Sequence, residues 1–124
     1  MNTYTKKQVG DTGENYCVKY MKRHGYKILH RQYRKRCGEI DVVAKKGDTI
    51  SFVEVKTRSA PMLIQPCEAV NYRKQRRLIQ TAQWYIAEFD VQCFCRFDVC
   101  EVIVDRVTLR LLDIRYMENA FYVR

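Results

Sequence analysis

Asp41, Glu54 and Lys56 are the residues of this chain best suited to chemistry on a phosphate. Two short segments carry them, Gly38-Glu39-Ile40-Asp41 and Phe52-Val53-Glu54-Val55-Lys56, and each reads as a β-strand. Lys45-Lys46-Gly47-Asp48 between them reads as a tight turn. With Gly47 and Asp48 as the loop, Lys46 faces Thr49, and the same register sets Asp41 opposite Glu54 and Glu39 opposite Lys56. Opposed residues share a face, so acids and a lysine converge. Like charges opposed in this way destabilise a ladder, and a divalent cation removes the penalty. Hydrolysis of a phosphodiester at neutral pH needs an activated water and neutralisation of the phosphate charge. Magnesium or manganese supplies both, held by one or two carboxylates and several waters. Asp41 and Glu54 would hold such an ion, the backbone carbonyl of Val55 would complete its sphere, and Lys56 would position the attacking water. Lys56 serves equally as an ion-pair partner of Glu39 or Glu54. Glu39 lies at the start of its strand and is a secondary member, equally suited to binding Arg36 or Arg58.

These segments need a scaffold. Residues 8–24 read as a first helix, with Val9, Gly13, Tyr16, Cys17, Tyr20, Met21 and His24 forming one stripe, Asp11 or Thr12 near its N-cap and Gly25 just past its end. A strand follows over 26–33. The next two, 39–45 and 49–57, carry apolar residues on both faces, which predicts a central hairpin covered on both sides. Residues 58–66, with Pro61 and Pro66, read as a loop, the segment most free to move. Glu68 to Phe89 reads as a long second helix with Arg73, Lys74, Arg76 and Arg77 in its first half. Two more strands, 94–104 and 107–115, are expected to turn at Asp105-Arg106, with 116–124 as a tail. The order α-β-β-β-α-β-β predicts an α/β fold, a central mixed β-sheet flanked by helices, in a single domain over 1–124 with tails at 1–7 and 116–124.

Composition narrows the partners. The 23 Lys and Arg outnumber the 14 Asp and Glu, a formal charge of +9 that suits a polyanion, nucleic acid before membrane. No apolar run approaches the roughly 18 residues of a membrane span, and the polar start is not a signal peptide, so a cytoplasmic location is expected. The 6 cysteines include no C-x-x-C pair, and free thiols are expected rather than a zinc site.

Asp41 followed by Glu54-Val55-Lys56 resembles the D…(D/E)-x-K arrangement of restriction-endonuclease-like nucleases. The likeness extends along the chain through Gly13-Glu14, Gly25-Tyr26-Lys27-Ile28-Leu29, Gly38-Glu39-Ile40-Asp41 and Phe52-Val53-Glu54-Val55-Lys56-Thr57-Arg58. It continues through Glu68-Ala69-Val70, Lys74-Gln75-Arg76-Arg77-Leu78, Arg96-Phe97-Asp98-Val99 and Asn119-Ala120-Phe121. This ordered set resembles the YraN-like family of bacterial proteins, which is similar in turn to archaeal Holliday junction resolvases. The resemblance implies a restriction-endonuclease-like fold and adds Glu14 to the catalytic and metal-binding acids. It favours DNA as the substrate, branched or damaged DNA included. Within the family pattern Lys74 and Gln75, together with Arg36, Arg58 and Arg77, are expected to contact nucleic acid. Asp98 reads as structural, at the sheet edge or tied to an arginine. Cutting a junction needs two sites, which leaves room for a homodimer. The competing readings are a non-catalytic nucleic-acid-binding module and a protein-interaction subunit on the same fold.

Overall fold

A computed structural model describes residues 4–60 and 71–121. Its elements follow the expected order: α1 (Lys6–Arg23), β1 (Lys27–Lys35), β2 (Gly38–Lys46), β3 (Thr49–Ala60), α2 (Tyr72–Glu88), β4 (Phe94–Asp105) and β5 (Leu111–Phe121). The five strands form one mixed sheet in sequence order. β3 and β4 run parallel because α2 lies between them as a crossover, and the other pairs are antiparallel.

Each face of the sheet is covered by one helix. Under α2, Leu78, Ala82 and Tyr85 pack on Ile40, Val43, Ile50, Phe52, Phe97 and Val99. Under α1, Cys17, Val18 and Met21 pack on Val42, Ala44, Val53, Cys100, Val102 and Val104. Apolar residues on both faces of β2, β3 and β4 follow from that double cover. This is the arrangement expected of a restriction-endonuclease-like domain. Among the described residues no helix is long and apolar enough to cross a membrane.

The element ends differ from expectation where side chains supply unforeseen caps. α1 begins at Lys6, not near Asp11 or Thr12, because Thr5 accepts from the Gln8 amide while the Gln8 side chain accepts from the Thr5 amide. Gly25 does end α1, at φ +87°. Strand β3 runs on to Ala60, because its parallel register with β4 continues to Asp105. The rest of the expected loop, and Glu68-Ala69-Val70, lie outside the described residues; α2 begins at Tyr72, because Asn71 is extended and its side chain caps the helix by accepting from the Lys74 amide. The turn after β4 is longer than Asp105-Arg106. The Asp105 carboxylate accepts from the amides of Val107 and Thr108, and Leu109 is left-handed at φ 59°. Residues 116–121 are therefore strand rather than tail: Met117 pairs with Val99, and Phe121 stacks on Phe97.

Asp98 is structural, as its sequence context suggested. It takes both Nε and a terminal nitrogen of Arg96, the Tyr116 hydroxyl at 2.6 Å and the Asn119 amide. Among the described cysteines all are free, with Cys17 and Cys100 buried and Cys95 exposed.

Gly13 sets the distance between α1 and the sheet. A Cβ there would lie 1.8 Å from the Thr57 hydroxyl oxygen and 2.7 Å from Thr57 Cβ. Gly13→Ala should therefore lower unfolding stability by about 1–3 kcal/mol through forced overlap. Urea denaturation checks this, with Gly10→Ala as a comparison, since a Cβ at Gly10 meets nothing within 4 Å.

Candidate active site

Asp41 stands where the ladder between β2 and β3 opens. The predicted hairpin register holds from Lys46↔Thr49 to Val42↔Val53, and the pairing ends there. One step on, the Asp41 carboxylate replaces the missing backbone partner and accepts from the Val55 amide at 2.7 Å. The expected pairings of Asp41 with Glu54 and of Glu39 with Lys56 fall beyond that end. Glu39 instead lies beside Arg34 across the β1–β2 ladder and accepts from its Nε at 3.0 Å, in place of the expected Arg36 or Arg58. On β1 the register pairs Tyr33 with Ile40 and Arg31 with Val42. Gln32, between them and across from Asp41, is left-handed at φ 53°. A non-glycine residue in that region costs on the order of 1 kcal/mol or more, and such strain gathers at functional sites.

Gln32 and its neighbour hold Glu14. Arg31 Nε donates to one Glu14 oxygen at 2.8 Å and Gln32 Nε2 to the other at 3.3 Å. Glu14 is buried on α1, next to Gly13, and its charge reaches Asp41. Helix α1 thus holds a buried acid whose charge acts on Asp41.

Glu54 is buried to 8% exposure on the α2 side of the sheet, where Lys74 Nζ meets its Oε1 at 2.5 Å. Asp41 and Glu54 line a cleft of about 460 Å³ with Gly38, Arg73, Lys74 and Arg77. The N-terminus of α2, capped by the Asn71 side chain on the Lys74 amide, opens onto it. Aligned amides and basic side chains at a helix start favour an anion.

Burial, and then the charge of Glu54, push the Asp41 carboxyl up to about 7; the Val55 amide opposes them, and Glu14 and Glu39 add smaller repulsions. A wall of low polarity lies alongside: the Cys17 thiol, hydrogen-bonded to the Cys100 thiol and buried, is held far above its ordinary value, with the charges of Asp41 and Glu14 contributing. Among the described residues no three His, Cys, Asp or Glu side chains converge closely enough to hold a metal ion between them. The oxygen donors in the cleft include the carboxylates of Asp41 and Glu54, a hard set suited to magnesium or manganese with water filling the remaining positions.

Residues 13–102 match the uncharacterised protein family UPF0102. The chain belongs to UPF0102. It is 43% identical over 117 residues to a UPF0102 protein of Caldicellulosiruptor saccharolyticus, covering 94% of this chain and 98% of that one. It is 44% identical over 118 residues to one from Clostridium acetobutylicum, covering 94% and 96%. A UPF0102 protein of Alkaliphilus metalliredigens is 43% identical over 116 residues, 93% and 98%. The UPF0102 match contains Glu14, Asp41, Glu54, Lys56 and all of α2.

The basic residues expected to touch nucleic acid divide into groups. Arg77 lines the cleft and is exposed, and Arg36 is exposed in the turn between β1 and β2. Lys74 lines the cleft but is engaged with Glu54, and Gln75 lies in the same first turn of α2. Arg58 points its Nε at Glu101, 3.2 Å away.

Glu101 was missed in the sequence. It is fully buried beside Lys56 in the β3–β4 register, and its Oε1 accepts no hydrogen bond among the described residues, with Arg115 standing 3.8 Å away. An acid inside the apolar run Val99–Val104 is the signal that marks it. Asn71 was also missed as a cleft residue, and Arg73, from the basic first half of the second helix, lines the cleft. For Gln32 no sequence signal exists, because its left-handed backbone depends on the strand beside it.

Proposed function

We propose that this UPF0102 protein is a metal-dependent nuclease that hydrolyses phosphodiesters in DNA. The observation that carries the reading is the meeting of Asp41 and Glu54 in one basic cleft at the end of the β2–β3 ladder. Burial together with the charge of Glu54 raises Asp41, an arrangement that costs stability unless a cation or a reaction accounts for it. A magnesium or manganese ion bound by Asp41, Glu54 and the Val55 carbonyl would supply charge neutralisation and an acidified water. Lys56 lies two residues from Glu54 on the same face of β3, and its ammonium would orient that water and steady charge on the phosphate. Glu14, already bonded through both oxygens to Arg31 and Gln32, would act through water rather than directly. Arg73, Arg77 and the start of α2 would receive the DNA backbone.

Purified protein incubated with magnesium or manganese and with single-stranded, duplex, flapped and four-way-junction DNA tests this. Cleavage that stops on adding EDTA is the expected result, and no cleavage of any substrate overturns it. The Lys74–Glu54 ion pair favours one competitor, a binding module in which lysine permanently neutralises the acid. That reading requires salt-sensitive DNA binding indifferent to metal.

A further inference from the structure

Trp84 is 59% exposed, far more than its bulk warrants in a helix that packs its other face on the sheet. A single exposed aromatic is ordinary; the surroundings of this one are not. Arg73, Arg77, Gln80 and Trp84 follow at i, i+4, i+7 and i+11 on α2, which aligns them in one stripe. The stripe starts in the carboxylate cleft, lined by Arg73 and Arg77. It ends in a neighbouring groove of about 300 Å³ lined by Cys37, Gln80, Gln83, Trp84 and Ala87. The two cavities adjoin where Cys37 of the groove is followed by Gly38 of the cleft. The Lys35 ammonium lies 5.9 Å from the Trp84 ring centroid and is paired with Glu88 at 3.1 Å.

We propose that Trp84 is a stacking platform for an unpaired base of a single-stranded DNA segment running from the cleft along this stripe. The proposal builds on the reading of the cleft as the place where a DNA backbone lies. The indole is about 10 Å along the helix axis from Arg77, a span that a strand covers within a few nucleotides. A duplex keeps its base faces stacked on one another, so a flat exposed indole at the end of a stripe that begins with two arginines selects an unpaired base. Gln80 and Gln83 offer both donors and acceptors, which tolerate any base edge.

Trp84 is the chain's 1 tryptophan, so its fluorescence reports the contact directly. The experiment is a titration of the full chain in EDTA with a dT12 strand, a 12-base-pair duplex and an rU12 strand. Labelled-strand anisotropy on Trp84→Ala and Trp84→Phe runs beside it. Saturable quenching by dT12, roughly tenfold weaker dT12 binding in Trp84→Ala, binding within about threefold of wild type in Trp84→Phe, and duplex binding untouched by either change are expected. Binding of dT12 without quenching, no binding of dT12, or equal affinity in Trp84→Ala overturns the proposal. So does duplex binding that loses as much in Trp84→Ala, and rU12 quenching at lower concentration than dT12 overturns the assignment to DNA. The exposed position makes both variants compatible with folding, checked by circular dichroism. Because no metal is present, the result is independent of hydrolysis. Quenching without any cleavage in magnesium would sink the nuclease reading and keep this one, and cleavage with a silent Trp84 would do the reverse.

Discussion

Glu54→Gln and Asp41→Asn each reduce metal-dependent DNA cleavage by on the order of 10³-fold or more, while DNA binding in EDTA is retained. Both acids line the cleft, and each variant keeps the size and hydrogen-bonding shape of the side chain it replaces. The fold does not need an acid at position 41, since the amide oxygen introduced by Asp41→Asn can still accept from the Val55 amide. Removing a negative charge beside Arg73, Lys74 and Arg77 leaves the cleft more basic, so binding of the DNA backbone should hold or tighten. Loss of cleavage together with unchanged or tighter binding separates the catalytic role from misfolding. Lys56→Ala should follow the same pattern with a smaller loss, roughly 10²-fold, because it removes one stabilising charge and leaves the metal donors in place. Single-turnover cleavage rates measure all three. Wild-type rates in Glu54→Gln would remove the cleft from the chemistry.

Asp41→Asn also stabilises the protein at pH 8, by about 2–4 kcal/mol, and leaves it unchanged near pH 3. The sign follows from the proton count. An unfolded aspartate ionises near its ordinary value of 3.8, whereas burial and Glu54 raise the folded one to about 7. Between those values the folded state holds a proton that the unfolded state has released. Stability therefore falls as pH rises through this window, and the loss is complete above about 7. Asparagine carries no such proton, so the variant lacks this slope. Urea denaturation of both proteins from pH 3 to pH 8 checks it, and parallel curves would mean that Asp41 ionises normally. Manganese should raise the wild-type midpoint at pH 8 far more than that of the variant, because the ion replaces the proton. That comparison reads the site without relying on activity. A site that weakens the fold in order to gather charge is the usual trade of stability for function.

The candidate site was legible in the sequence to the extent that it depends on local rules. The Gly47-Asp48 turn and the period of two in β2 and β3 set the hairpin register, and the structure keeps that register from Lys46↔Thr49 to Val42↔Val53. Local rules stop at the strand ends. That Asp41 bonds the Val55 amide, and that the ladder opens beyond Val42 while β2 stays paired with β1, are tertiary facts that no window of sequence contains. The same limit misplaced β5. An aspartate followed by an arginine suggests a short turn, yet Asp105 instead folds its own carboxylate over two following amides and moves the strand four residues on.

Residue order was enough to read the succession of elements, the two-sided cover of the sheet and the family, because periodicity and residue type are local properties. Which charges meet was settled by the folded chain and by nothing shorter: Lys74 on Glu54, Arg31 and Gln32 on Glu14, Arg58 on Glu101, and the stripe that ties Trp84 to the cleft. Separation along the chain explains the difference. The members of the charged groups lie from 17 to 43 residues apart in the chain, and only the parallel crossover through α2 and the packing of α1 on the sheet bring them within a few ångströms.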